Sequence, residues 1–364
     1  MSIKSHKIDR LFLKSFEILA KIFENGFMPF IHQEFSQFFQ GNYENVTAGY
    51  YDESKSYGVI DCLFQDLSQT AIISIENSIF LFEASTFVNV SALYEHGNGG
   101  AVYTHQGENV HNRICSLNCF ATDYGQYCSS TSNEGSAKNW VIESTISSSS
   151  ENSIGMAPIT FAFGTVSLTK TNISYFNTNE KCGYSSSHGM SESSFTYNSI
   201  INNAATNNYC IYHSIIVLLN IKNCNIINNS VSDYLIHNYN CNPQTIEECN
   251  IIDNTGTNTF SVEFSGSTNV RNCYINNNVI TTGKVSIYGN KNEEINLGLS
   301  HFWTELCQVK QRSIIYNRTF SVGFQAFCLL PFYILLFSSK DSFIIGVKSE
   351  KSVIYKPNLY SLLK

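Results

Sequence analysis

The sequence has little charge, little proline and no helical repeat in its middle. Asp, Glu, Lys and Arg together make up only 14% of its 364 residues and sum to −7. That balance excludes the basic face with which nucleic-acid-binding proteins neutralise phosphate, so no nucleic-acid partner is expected. Between residues 41 and 300 no 3.6-residue apolar period of helical-repeat length appears, and no leucines recur at the fixed spacing of a leucine-rich repeat. Both of those solenoid classes are thereby set aside.

Paired acid–base groups are also missing. The candidate constellations are Asp233 with His237, Asp253 with Glu263, and Glu247–Glu248. None recurs at a spacing that would gather several carboxylates on one face, as polysaccharide hydrolysis requires. Cys115, Cys119 and Cys128, with His105 and His111 nearby, do not match the paired spacing of zinc ligands. No catalytic residue, cofactor or metal is therefore assigned.

What the chain does contain is a short pattern written nine times between Tyr57 and Asn277: apolar, two spacers, a small residue, any residue, apolar. The clearest copies are Ile221–Ile226, Ile246–Ile251 and Val270–Ile275. The small residue, taken as position one, falls at Cys62, Ser85, Cys119, Ser144, Thr171, Asn198, Cys224, Cys249 and Cys273, at intervals of 23, 34, 25, 27, 27, 26, 25 and 24 residues. Three residues earlier stand Val59, Phe82, Ser116, Val141, Leu168, Phe195, Ile221, Ile246 and Val270; two later stand Phe64, Phe87, Ala121 and six isoleucines. Positions one and three share a strand face because side chains alternate along a strand. Four residues after position one come Asp66, Asn89, Asp123, Asn202, Asn228, Asp253 and Asn277, residue types that tolerate left-handed backbone and mark a turn. Further on lie second apolar stretches such as Tyr209–Tyr212, Tyr234–Ile236, Phe260–Val262 and Val285–Ile287.

Two or three short strands per unit and a near-constant period point to an all-β fold: a right-handed parallel β-helix of about nine rungs, stacked ~4.8 Å apart into roughly 40 Å of coil. The one long interval contains Gly97-Asn98-Gly99-Gly100-Ala101-Val102-Tyr103, where the glycines suit a tight bend and Ala-Val-Tyr opens the next strand.

Gly-Gly-Ala-Val-Tyr, taken with Phe87-Val88-Asn89-Val90, resembles the paired GGA(I/V) and FxxN motifs of polymorphic outer-membrane protein repeats. The later Asn-Cys-x-Ile-x-(Asn/Asp)-Asn copies are similar to the large right-handed β-helix surface-protein families of some protist parasites. The resemblance covers about residues 41–300. It implies a membrane-anchored β-helical ectodomain and carries over no catalytic residue.

The remaining features give the expected domain plan. Twelve cysteines raise the question of disulfides, yet Cys62, Cys119, Cys224, Cys249 and Cys273 recur at or near position one, where a thiol serves as a small apolar core residue. Residues 1–40 carry an apolar stripe at helical spacing (Ile8, Leu11, Phe12, Phe16, Leu19, Ile22, Phe23) and are expected to form an amphipathic helical cap over the first rung. No clean signal-peptide core precedes the repeats. A juxtamembrane segment, 301–318, leads to an uncharged stretch, 319–339, long enough for an apolar transmembrane helix, and a Lys-containing tail, 340–364, follows. Asn45, Asn89, Asn172 and Asn228 each begin a glycosylation triplet. The expected function is a non-catalytic surface protein, membrane-anchored through 319–339 with the solenoid outside, binding a protein or glycan on its lateral faces. A polysaccharide lyase or hydrolase of the pectin-lyase-like class, and a plain structural spacer, are the alternatives.

Overall fold

The computed structural model describes residues 34–93, 97–133, 135–148, 155–189, 192–279 and 284–299. The chain divides into two compact units, Met1–Lys310 and Gln311–Lys364, and the described residues all belong to the first. The apolar stripe of the expected cap and the segments 301–318, 319–339 and 340–364 lie outside them.

The described residues form a parallel β-solenoid of about eight turns, with almost no helix. Three long sheets make its walls, here called A, B and C, with eleven, nine and nine strands. One turn shows how the sequence draws the path. Leu218–Lys222 lies in sheet A, Asn225–Ile227 in sheet C and Tyr234–Tyr239 in sheet B. Between the first two, Asn223 is left-handed (φ 55°); after the second, Asn228 is (φ 54°); after the third, Asn240 is (φ 63°). The chain thus runs A, C, B and turns at single left-handed residues. All nine residues that precede a C strand at this first corner are left-handed: Asp61, Ala84, Arg113, Glu143, Lys170, Tyr197, Asn223, Glu248 and Asn272. The turn residues expected from sequence are left-handed at Asp66, Asn89, Asn202, Asn228, Asp253 and Asn277, and so are Asn118 and Tyr175.

Each corner interrupts the strand ladder, and a side chain restores the lost hydrogen bonds. At position one, the N–H of one rung donates to the side chain of the next: Cys62 to Ser85 Oγ (3.1 Å), Thr171 to Asn198 Oδ1 (2.8 Å), Cys224 to Cys249 Sγ and Cys249 to Cys273 Sγ (both 3.4 Å). The same side chains donate to the carbonyl three residues before position one in the preceding rung. Ser85 Oγ reaches Val59 O (3.0 Å), Asn198 Nδ2 reaches Leu168 O (2.8 Å) and Cys224 Sγ reaches Phe195 O (3.3 Å). A thiol at this corner is therefore more than a small apolar filler: it alternates with Ser, Thr and Asn because all four accept and donate. The ladder thiols Cys62, Cys119, Cys224, Cys249 and Cys273 are free.

The second corner uses asparagine in the same way. Asn203, Asn229, Asn254 and Asn278 form a column in which each Oδ1 accepts from the main chain of the rung before, and each Nδ2 donates to that rung's carbonyl two residues past position one. Neighbouring amides are linked at 2.9–3.1 Å.

Three expectations change. The third copy is Ile114, not Cys119: strand pairing sets His111 beside Phe82 and Val141, and Ser116 beside Phe87 and Ile146. Ile114 N donates to Ser144 Oγ (2.9 Å), as position one does elsewhere. Cys119 instead occupies the asparagine-column position, its thiol on Phe87 O (3.7 Å). The corrected intervals, 29 and 30 residues, replace 34 and 25, so the long step is shared between two neighbouring rungs. Secondly, Val285–Tyr288 joins sheet A and pairs with Thr268–Arg271, so it opens a further rung instead of closing the last one in sheet B. Thirdly, the described end of the expected cap is a single 3-10 turn, Phe35–Gln37, lying against a flank of the coil. Phe35 and Phe39 pack with Leu81 and Val110 on the outer side of sheet A, beside Ile79, Trp140 and Ile142. Leu81, Val110, Trp140 and Ile142 give this part of the wall an apolar outer patch, against which the segment packs.

Among the polar groups in the interior, which include the bonded clusters Asn109–Ser130–Asn139 and Asn238–Thr268–Gln244, are two histidines. His111 stacks on Phe82 (4.4 Å) and meets Tyr127 Oη at 2.8 Å; His213 meets Ser186 Oγ at 2.9 Å. Both are wholly buried, and burial pushes each imidazole down to about 3.

The corner chemistry sets the cost of losing one amide from the column. Asn229→Ala removes the partner of Asn203 and of Ile200 O, and is expected to cost about 3 kcal/mol in thermal or urea unfolding; the exposed control Asn207→Ala stays within about 0.5 kcal/mol. Acid should also unfold the coil through the two imidazoles. An unfolded histidine takes up its proton near pH 6.5, whereas the folded one resists until about pH 3. This contribution is complete above pH 6.5 and falls away as the pH drops towards 3, by about 1.4 kcal/mol per unit for each histidine. His111→Gln should roughly halve that part of the slope in urea midpoints measured from pH 6 to 4. An unchanged slope would assign it to other groups.

Candidate functional site

The three walls present different surfaces. Sheet A is occupied by its own chain and by ion pairs. Lys138 Nζ lies over the Phe39 ring (4.8 Å) and donates to Phe38 O. Further along, Glu247 pairs with Lys222 (3.4 Å) and Arg271 (3.2 Å), and Glu248 with Lys222 (3.3 Å). The proposed Glu247–Glu248 pair is thus part of a surface charge ladder, with its carboxylates committed to cations.

Sheet B is different. Its outward ladder, read from the strand register, runs Tyr50, Ile73, Tyr103, Ser129, Thr160, Ser185, Tyr212, His237 and Ser261. It carries no Asp, Glu, Lys or Arg over roughly 38 Å of coil. In its last rungs the rings stack. His237 lies on Tyr209 (4.2 Å, 5° between planes), and Tyr212, Tyr234 and Tyr239 gather within 6.4 Å of it. Lys181 closes one end of the stack over Tyr212 (5.0 Å). Burial, with Glu263 adding, raises the Tyr209 phenol to about 12, and burial raises Tyr212 as well, so the hydroxyls remain protonated donors and acceptors in neutral solution. His237 is held below the usual imidazole range by burial, and its Nδ1 finds no hydrogen-bond partner among the described residues.

Beside this ladder runs a ridge that sequence reading missed. The left-handed residues just after the sheet B strands include Gln106, Phe163, His188, Ile215, Asn240 and Phe264 (φ 52–66°). At the second corner this conformation falls largely to Asn and Asp, which adopt it with little strain. Here Phe163, Ile215 and Phe264 adopt it while 38%, 42% and 60% exposed, so the side chains gain little from the core in return. For a bulky or β-branched residue that conformation costs of order 1–2 kcal/mol. Phe163 stacks on His188 (5.0 Å), and Phe264 meets Tyr239 edge-on (4.6 Å), which joins Phe264 to the ring cluster around His237. The sequence signal was there, as a bulky residue after several of the sheet B strands, but it becomes visible only once those strands are in register.

The other site candidates fall apart in space. Glu263, and not Asp233, is the carboxylate that bears on His237. Asp253 sits at the second corner, where it accepts from Asn277 Nδ2 (2.6 Å), while Glu263 ends a sheet B strand. His111 Nε2 and Cys128 Sγ are 3.6 Å apart inside the core, and among the described residues no group of three or more His, Cys, Asp or Glu is placed to hold a metal. A hollow of about 480 Å3 at the first rung, lined by Glu34, Tyr43, Asn45 and Cys62 among others, brings together no acid–base pair. Of the glycosylation triplets, Asn45 is exposed in the first strand of sheet A. Asn89 and Asn228 are exposed at left-handed turns, and their amides bond to Asp66 (2.8 Å) and Asn202. Asn172 lies within sheet C and donates to the hydroxyl of its own triplet's Ser174 (3.1 Å).

In the GGAVY segment, Gly99 is left-handed (φ 64°) and a Cβ on Gly100 would meet Gln126 O at 2.0 Å, so both glycines are required by the bend; the next strand starts at Val102. The fourth position of the Phe87 motif is Val90, which shares the asparagine-column position. No helix among the described residues is long and apolar enough to cross a membrane. Compared with protein-family models, curated proteins and solved structures, the chain matches none.

Proposed function

We propose that this chain is a non-catalytic surface protein that binds a protein or glycan along sheet B, its coil right-handed and its anchor the segment 319–339. Right-handedness accords with the strong preference of parallel strand crossovers. The resemblance of residues 41–300 to GGA(I/V)/FxxN repeats supports the surface location. The observation that carries the binding reading is the sheet B ridge: exposed Phe163, Ile215 and Phe264 held in a strained conformation beside an uncharged tyrosine ladder. Asn, which holds most of the second-corner positions, would adopt this conformation with less strain. Stacked tyrosines supply rigid contact area together with hydroxyl groups, a combination that suits recognition at low entropic cost.

The test sets stability against binding in one substitution. Ile215→Asn should raise the unfolding free energy by about 1 kcal/mol, because Asn accepts left-handed backbone. The same change should weaken retention on an array of neutral and acidic oligosaccharides, or on intact cells, by about tenfold, as should Tyr212→Ala. The sheet A control Lys222→Ala should leave binding intact. If neither probe retains the full chain, or if sheet B substitutions leave retention unchanged, the binding reading fails. The anchor is tested separately: after alkaline carbonate extraction the full chain should stay with the membranes and a chain ending at residue 318 should be released.

A further inference from the structure

Two consecutive residues at one end of the sheet B ring cluster offer a carboxylate and an exposed ring. Glu263 lies one rung beyond Tyr239 in the same outward row, and Phe264 is the left-handed residue that follows it. Glu263 is exposed and has no ion-pair partner among the described residues. Phe264 is 60% exposed and meets Tyr239 edge-on (4.6 Å, 62°). Whichever ring supplies the edge in such a contact, Phe264 keeps at least one face that Tyr239 does not cover. No Lys or Arg among the described residues lies over that ring. Lys284 Nζ donates to the Phe264 carbonyl and makes no ion pair with Glu263.

The other end of the cluster shows what this combination takes. There Lys181 Nζ lies over Tyr212 (5.0 Å) and Tyr124 (5.9 Å) and pairs with Glu180 (3.4 Å), so one ammonium is held by rings and a carboxylate together. Glu263 and Phe264 repeat those two partners three strand steps along the sheet, roughly 14 Å away at ~4.8 Å each, without the ammonium. Charge and ring geometry narrow the ligand further. Glu180, Asp233 and Glu263 set three carboxylates around the rings against the two ammonium groups of Lys181 and Lys284, a balance that repels an acidic sugar. A neutral pyranose stacks on an open ring face. Tyr209, Tyr212, Tyr234 and His237 instead turn their faces to one another, at 4.2–6.0 Å and 5–21° between planes.

We propose that the sheet B surface binds a protein segment through an arginine or lysine side chain, whose cation lies over Phe264 and pairs with Glu263. This rests on the sheet B binding reading above and narrows its partner from protein or glycan to a basic protein segment. Arginine suits the place better than lysine, because its planar guanidinium stacks on a ring and still presents N–H groups to a carboxylate. The ion pair and the ring contact act on the same side chain, so removing either one weakens the anchor.

The test is fluorescence anisotropy of the full chain with labelled hexapeptides of arginine, citrulline or glutamate in about 50 mM salt. Citrulline keeps the shape of arginine and removes its charge. The arginine peptide should bind about tenfold more tightly than the other two. Glu263→Gln and Phe264→Asn should each weaken it about fivefold; Asn accepts left-handed backbone, so the second variant stays folded. Glu294→Gln removes the same charge beside sheet C, where Ile295 bonds to Asn250, and should change binding less than about twofold. Equal effects of Glu263→Gln and Glu294→Gln would show attraction to net charge alone and overturn the proposal. So would equal binding of the arginine and citrulline peptides. If the peptides show no preference while Ile215→Asn still lowers oligosaccharide retention, sheet B is a glycan surface and only this inference fails. If oligosaccharide and cell retention are also insensitive to sheet B substitutions, the binding reading fails with it.

Discussion

A parallel coil has to turn a corner three times per rung, and at each corner the strand ladder stops. The main chain there still has an N–H and a C=O to satisfy, in a place that water does not reach. The rest of the architecture depends on how this is met at the first two corners. A side chain that both accepts and donates stands at the corner and bonds back to the preceding rung, replacing the missing ladder bonds. Ser, Thr, Cys and Asn do this at position one, and Asn does it at the second corner through Asn203, Asn229, Asn254 and Asn278. An unmade bond at a buried corner would cost ~1–3 kcal/mol and recur with every rung. These bonds give Asn198, Asn203, Asn229, Asn254 and Asn278 their structural role.

Much of this was legible in the amino-acid order. Outside the third copy, the period, the inward pair around position one and the Asn or Asp turn four residues on correspond to what strand register and left-handed backbone show; Asp123, the third copy's turn residue, is not left-handed. The chemistry of position one was not legible, because small size and dual hydrogen bonding select overlapping residue types. The third rung was misplaced for a related reason. Its corner residue is Ile114, its apolar partner is His111 and its position three is Ser116, each outside the pattern, while Cys119 five residues later imitates position one. Cys119 does stand at a corner, but at the second one, where its thiol does the work of an asparagine amide.

The outer surface was the least readable part. Alternation tells which residues point outward but not what meets them. Leu81, Val110 and Trp140 point outward and are covered by Phe35 and Phe39, whereas Tyr212 and Tyr234 point outward beside an exposed ridge. The carboxylates weighed as acid–base candidates in the sequence are spread over different walls and corners: Glu247 among cations, Asp253 at a turn, Glu263 at the end of a strand. Only the lateral register separates these cases, and register is a long-range property that local patterns do not encode.

The corner side chains have one more consequence. Each hands its hydrogen bonds only to the rung immediately before it, so no rung depends on the total number of rungs or on the length of the loops between them. The spacing between successive first corners varies from 23 residues (Cys62 to Ser85) to 30 (Ile114 to Ser144) without disturbing strand register on either side. Such a chain can acquire or lose a whole rung by unequal duplication, or lengthen one loop, and remain foldable. Its outer faces are therefore free to diverge quickly while the coil beneath them stays the same.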